Sequence, residues 1–361
     1  MNPTRRQVLG GTAAVVGGSL AGCLGSPDTG NGPEGGEGVF TSFFTLADFA
    51  RHVVGDVTEV QNPIPPGEMG HQYEVGSQAQ VDAARSAAFV YLDIPGFQNW
   101  ALDSAENLEA NHESVTVVDA LADVELREIG AGHEHSGEDH EDEHTDEHTD
   151  EHDGEHEDEH TDDHDDEHED EHTDEHEDEH VGGDFDPHYW TDPVRSATSV
   201  RTIGEALAQA DPDNAETYRS NTDAYVGELE TLDETFESEL SERAIDTVVV
   251  AGHDSYQYLA ERYGFEVHSP VGVSPNAEPG SAEISDTIDV VDDNGIDVIL
   301  YDTFSSPRLA ETIVSESNAE EAVAISSAEG TKGEWLDDGW GYVEQMKELN
   351  LPAFKAALKA E

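Results

Sequence analysis

The stretch TVVVAGHDSYQYLAERYGFEV, Thr247–Val267, decides how the chain is read. An apolar run, TVVVAG, leads into a turn carrying His253. An amphipathic segment, SYQYLAERYG, follows, and then a second apolar run, FEVHSPVG. Strand, helix and strand at this spacing make one βα unit of a largely parallel sheet. Toward the carboxyl end the alternation continues through SAEISDTIDVVDDNG, IDVILYD, PRLAETIVSES and AVAIS, with a last helix expected to end near Lys359. Toward the amino end a separate set begins at Val39: VFTSFF, LADFARHVVG, VTEVQNPI, AQVDAARSA, AAFVYLDI and SVTVVDAL. Between the two sets, Val194–Ala210 reads as a helix. The segment DPDNAETYRSNTDAYVGELETLDETFESELSERA reads as one long helix opened by Asp211, with Pro212 at its first position.

A chain of 361 residues has room for two domains with a core each. The expected architecture is therefore α/β: an amino-terminal lobe over 39–211, a linking helix over 212–244 and a carboxyl-terminal lobe over 245–361. Ligands of such folds lie at the carboxyl ends of strands, here in the cleft between lobes.

The amino-terminal set is interrupted over 132–183 by an acidic run in which histidine recurs every fourth residue: His140, His144, His148, His152, His156, His160, His164, His168, His172, His176 and His180. The run offers no apolar residue between Gly137 and His180, so it has nothing to bury against its ordering entropy and is expected to be a disordered loop. HEDEH, first at His140–His144, matches the HExxH zinc-protease pattern, but that chemistry needs an anchored, apolar-faced helix. Regular imidazoles among carboxylates instead suit loose binding of several divalent ions, which makes these histidines candidate secondary metal sites.

The formal charge is -69, and the run does not account for it alone. The segment His133–His180 holds 28 acids and no base, yet 56 acids still face 15 bases elsewhere. A surface this acidic repels itself in dilute buffer and is screened in concentrated salt, which points to a halophilic source, an archaeon. Nucleic acid is excluded as a partner, because phosphate binding needs clustered Lys and Arg.

The amino terminus reads as an export signal over 1–22. Arg5 and Arg6 precede an apolar, small-residue segment from Val8 to Ala21, which is the twin-arginine pattern, and the segment is too short and Gly-rich to span a membrane well. It ends in LAGC, where Cys23, the only cysteine, matches a lipid-attachment site. The residues 23–38 then form a flexible tether. The expected location is the cell surface, on a lipid anchor, with no thiolate left to bind metal or form a disulfide.

Outside the run six histidines remain. His71 (GEMGHQYEVG), His188 (FDPHYWTDPV) and His253 (VVVAGHDSYQYL) fall in loops after strands or turns, whereas His52 and His112 suit an exposed surface; His268 is the sixth. Neutral imidazoles and carboxylates drawn from both lobes can close a tetrahedral site for a divalent ion.

These three segments, in this order, resemble the zinc and manganese substrate-binding lipoproteins of ABC importers. The resemblance runs from Val39 to the carboxyl end and includes FQNWALDSAENL, ALAQADPDNAETYRSNTDAY, YLAERYGF and VGVSPNAEPGSAEI. It implies two Rossmann-like lobes bridged by a rigid helix, with metal buried between them. His71 and His188 would be the amino-lobe ligands and His253 the carboxyl-lobe ligand. An acidic histidine-rich loop between the first two is a feature of the zinc-importing members. Two positions depart from the family. Where it often has a ligating Asp after the last strand, AVAISSAEG offers Ser326 or Ser327, with Glu329 nearby. Where some zinc-binding relatives have an acidic residue beside the first histidine, Gly70 stands here. The fourth position is open to water, Glu329 or a loop residue.

The function this implies is capture of Zn2+ outside the cell and its delivery, by a monomer and without catalysis, to an ABC permease and its ATPase. Membrane lipid would be a further partner through Cys23. Three neutral imidazoles suit zinc; a manganese receptor of the same fold is the first alternative, followed by a histidine-rich metal buffer and an extracellular zinc hydrolase.

Overall fold

Two four-stranded parallel sheets, each laid down by one of the alternating sets, organise residues 36–71, 73–129, 185–273 and 278–361, which a computed structural model describes. The first sheet holds β1 (Val39–Thr41), β2 (Val60–Gln61), β3 (Ala88–Tyr91) and β4 (Thr116–Asp119) in the order β2-β1-β3-β4. The second holds β5 (Thr247–Val250), β6 (Glu266–His268), β7 (Val298–Asp302) and β8 (Glu321–Ile325) in the order β6-β5-β7-β8. Register is set by rows such as Val39, Ala88 and Thr116 in one sheet and Val249, Ile299 and Ala322 in the other. In both, the chain leaves its first strand toward one edge and returns on the far side. A crevice opens at the carboxyl ends of the strands where that direction reverses.

Helices α1 (Phe44–Val54), α2 (Ser77–Ala83) and α3 (Asn99–Asn111) belong to the first sheet. Two long helices follow, α4 (Pro193–Ala210) and α5 (Ala215–Leu240), and then α6 (Gln257–Tyr263), α7 (Ser281–Asn294), α8 (Arg308–Glu316) and α9 (Gly333–Asp337). The chain closes with α10 (Tyr342–Glu344), a π-helical turn over Gln345–Asn350, and α11 (Leu351–Ala357).

The helix opened by Asp211 begins later than its sequence suggests, and Pro212 is not its first residue. Asp211 instead ends α4, its amide donating to the Leu207 carbonyl at 3.0 Å. Its carboxylate accepts from the side chains of Asn214 and Tyr218 at 2.7 and 3.0 Å, which folds 211–214 into a turn and delays α5 to Ala215. The pairs Glu205–Arg219 and Arg201–Glu230 show α4 and α5 running antiparallel. α5 forms because Tyr218, Thr222, Tyr225, Val226, Leu229, Leu232, Phe236 and Leu240 recur at helical spacing and are all buried.

That stripe joins the lobes into one core, in which Phe43 and Phe49 of the first, Tyr225 and Phe236 of α5, and Val250, Leu300 and Phe354 of the second all take part. Buried Asp48 on α1 fastens the junction. It accepts from the Tyr225 hydroxyl and the Tyr342 amide, both at 3.1 Å. A buried carboxylate satisfied in this way is stable where an unpaired one would be costly.

Among the described residues no helix is long and apolar enough to cross a membrane. The expected signal, Cys23 and the histidine run His140–His180 lie outside the described residues.

Candidate metal centre

Four side chains from four separate loops meet between the lobes. His71, His188, His253 and Glu329 each turn one potential ligand atom inward, and those atoms all lie within 4.8 Å of one another. The three imidazole centroids form a near-equilateral triangle with sides of 5.7, 5.4 and 5.4 Å.

Each arrives for a local reason. His71 lies in the loop between β2 and α2, which Pro65, Pro66 and Gly67 stiffen and turn; Gly67 has φ of 100° and donates its amide to the Thr331 carbonyl across the cleft at 2.7 Å. Beside it, a side chain at Gly70 would press on the Phe43 ring, its Cβ falling 3.1 Å from that of Phe43, so the glycine fits the close approach.

His188 stands on the segment leading into α4, where Asp192 caps the helix by accepting from the Val194 amide at 2.8 Å and Pro193 follows. Asp186 accepts from the His188 amide at 3.0 Å and bonds Nδ1 at 2.8 Å, which fixes the ring and leaves Nε2 facing the cluster. Trp190 crosses to the other lobe, its indole N–H donating to the Ser327 carbonyl at 2.7 Å.

His253 follows β5 directly. Its Nε2 lies 2.7 Å from the Ser255 hydroxyl and 3.7 Å from Glu329 Oε1. Glu329 follows β8 through a reversal at Ala328, whose φ of 59° is a sparsely populated left-handed geometry. The reversal is held from several sides: the Thr45 hydroxyl donates to the Ala328 carbonyl, and the Ala328 amide donates to Ser326 Oγ at 3.0 Å. The π-helical turn supplies Asn350 and Gln345, which bond Ser326 through its amide, carbonyl and hydroxyl. Gly330 passes so near the Glu68 carbonyl that a Cβ would sit 2.4 Å from it.

The centre is buried and strongly polarised. Glu329 is fully buried, in contact with His71 Nδ1 and 3.3 Å from His188 Nε2. Even so, both ring nitrogens of His71, Nε2 of His188 and both oxygens of Glu329 lack a partner in hydrogen-bonding geometry, although they lie in ionic contact with one another. Unpartnered buried polar atoms gathered at one site in this way are costly unless a ligand meets them. Burial opposes charge on Glu329, but the three imidazoles outweigh it and hold the carboxyl well below its usual range. Burial also opposes charge on His188, yet Asp186 and Glu329 raise it to about 10. At His71 burial prevails and lowers the pKa despite Glu329.

All three histidines singled out in the sequence therefore come together, and Glu329 takes the place beside them that the sequence left open. Ser326 and Ser327 stay in the loop beneath. His52 lies exposed, stacked on Tyr225 with centroids 3.8 Å apart, and His268 bonds Thr287 Oγ1 at 2.9 Å. Sequence reasoning overlooked Asp186, although its position two residues before His188 was a readable signal.

Three imidazole nitrogens and one carboxylate oxygen suit a tetrahedral borderline cation. The family described as zinc-uptake complex component A, periplasmic, matches residues 39–357. The chain belongs to that family. It is 29% identical over 315 residues to the zinc-binding protein AdcA of Streptococcus pyogenes, covering 87% of this chain and 55% of the relative. The chain thus spans about half the length of the streptococcal relatives it matches. It is 27% identical over 320 residues to the high-affinity zinc uptake system protein ZnuA of Bacillus subtilis, covering 89% of this chain and 87% of the relative. Among solved structures, Zn(II)-bound AdcA from Streptococcus pneumoniae superposes with a TM-score of 0.67 at 25% identity, over 91% of this chain and 59% of that one. The shared fold is the two-lobed one.

Proposed function

We propose that this chain is the extracytoplasmic receptor of a zinc importer, binding Zn2+ through His71, His188, His253 and Glu329 and passing it to an ABC permease driven by an ATPase. The observation that carries this reading is the convergence of those four side chains, two from each lobe, on one buried point. Membership of the zinc-uptake family supports the cargo, and the nitrogen-rich donor set favours zinc over manganese, which prefers oxygen. A non-catalytic role is part of the reading: the protein itself offers four ligands, so a hydrolytic site's open metal position is missing from the scheme. Export by the twin-arginine route, a lipid anchor on Cys23, a salt-rich setting and a monomeric state complete it, the first three resting on Arg5 and Arg6, on LAGC and on the acid excess. The histidines of the run would hold zinc loosely and raise its local concentration near the cleft.

Competitive titration of zinc and manganese by calorimetry in high salt tests the reading. A protein lacking Gly137–Glu179 is expected to keep one tight zinc site and lose the weaker ones, and His188→Ala is expected to weaken the tight site on the order of a hundredfold. Tight binding that disappears with the run and survives His188→Ala would make the run the working part and the reading wrong.

A further inference from the structure

Tyr258 belongs to the carboxyl-terminal lobe, on α6, yet among the described residues its hydroxyl bonds the backbone on either side of 130–184, in the amino-terminal lobe. It donates to the Asp186 carbonyl at 2.7 Å and accepts from the Arg127 amide at 2.8 Å. The Asp186 amide in turn donates to the Arg127 carbonyl at 2.9 Å, so the three residues close a ring of hydrogen bonds. Around it, the guanidinium groups of Arg127 and Arg195 lie 5.9 and 4.9 Å from the centre of the Tyr258 ring, and both contact Glu261 of the same helix. The phenol is wholly buried, so its hydroxyl and the two backbone groups have little access to water as alternative partners.

The ring of bonds ends one step from the metal centre. Asp186, whose carbonyl Tyr258 holds, is the residue whose carboxylate sets the His188 imidazole. Only Pro187 separates them, and its fixed φ leaves little slack between a pinned Asp186 and the ring of His188. Neither Tyr258 nor Arg127 is part of the four-residue cluster.

We infer that Tyr258 is a positioning residue for metal retention: through Asp186, contact with the carboxyl-terminal lobe sets the amino-lobe ligand His188. This rests on the proposed function and adds a coupling to it. Parting the lobes removes the Tyr258 hydroxyl from Asp186 and frees His188, so loss of lobe contact and loosening of the metal become one event.

The test uses the full chain in high salt, loaded with one equivalent of metal so that the tight site fills first. Tyr258→Phe keeps the aromatic packing and removes only the hydroxyl. Tyr263→Phe is the control, since Tyr263 lies on the same helix and its hydroxyl donates to Asp233 at 3.1 Å, away from the cluster. Release of zinc to a chelator is expected to quicken on the order of tenfold in Tyr258→Phe, as for loss of an outer-shell partner, and to be unchanged in Tyr263→Phe. The visible spectrum of bound Co2+ is expected to shift in the first variant alone. Wild-type release and spectrum in a Tyr258→Phe protein whose melting temperature falls as in the control would overturn the inference and leave the proposed function standing. A wild-type protein with no stoichiometric site would overturn both.

Discussion

The two lobes share a strand order but present their inward-facing residues differently. In the amino-terminal lobe His71 follows edge strand β2, and His188 comes after edge strand β4, beyond the long excursion. In the carboxyl-terminal lobe His253 follows the inner strand β5 and Glu329 follows edge strand β8. The supports differ as well. His188 is held on the ring nitrogen that faces away from the cluster, by Asp186, whereas Ser255 bonds Nε2 of His253, the nitrogen 3.7 Å from Glu329. The comparison teaches that, on the proposed reading, His188 is a ligand already set from outside the cluster, whereas His253 would have to exchange a partner to bind.

Removing a proposed ligand from either lobe should have the largest effect. Structural zinc sites of four ligands are worth roughly 10–16 kcal/mol, so one ligand accounts for about 3 kcal/mol, or a roughly hundredfold loss of affinity. His188→Ala and His253→Ala are both expected to show it in competition with a chelator. A loss confined to one of the two would mean that a single lobe carries the site.

A smaller effect is expected at the supports. Asp186→Asn leaves a hydrogen-bonding group but removes the charge that sets His188, and zinc affinity should fall about tenfold. Ser255→Ala should do the reverse, because it removes the group that competes for Nε2. A net hydrogen bond of about 0.5–1.5 kcal/mol translates into binding tighter by roughly two- to twelvefold. Weaker binding in Ser255→Ala would show that the hydroxyl orients His253, and the contrast between the lobes would disappear.

The fold was legible because each βα unit writes its own local pattern: Thr247–Val250 is a run of β-branched residues, and the buried positions of α5 repeat at helical spacing. The start of α5 was misread because Asp211 is equally fit to cap a helix and to close a turn. The choice is made by Asn214 and Tyr218, whose side chains reach it only once the turn exists. Three of the four inward-facing residues were legible as histidines in short loops after strands or turns. Glu329 was named only as one candidate for the fourth position, beside water or a loop residue, because the left-handed Ala328 and the distant Asn350 and Gln345 decide which residue of SSAEG points inward. Contacts such as Trp190 to Ser327 and Tyr258 to Asp186 join residues 137 and 72 apart in sequence, and no local pattern announces them.

The most direct measurement is diffraction across the zinc absorption edge from crystals of the full chain grown with one equivalent of zinc. The account predicts one dominant anomalous peak between the lobes, at about 2.0–2.2 Å from His71, His188, His253 and Glu329 together. A dominant peak bound elsewhere, with those four side chains still facing one another unbridged, would contradict it.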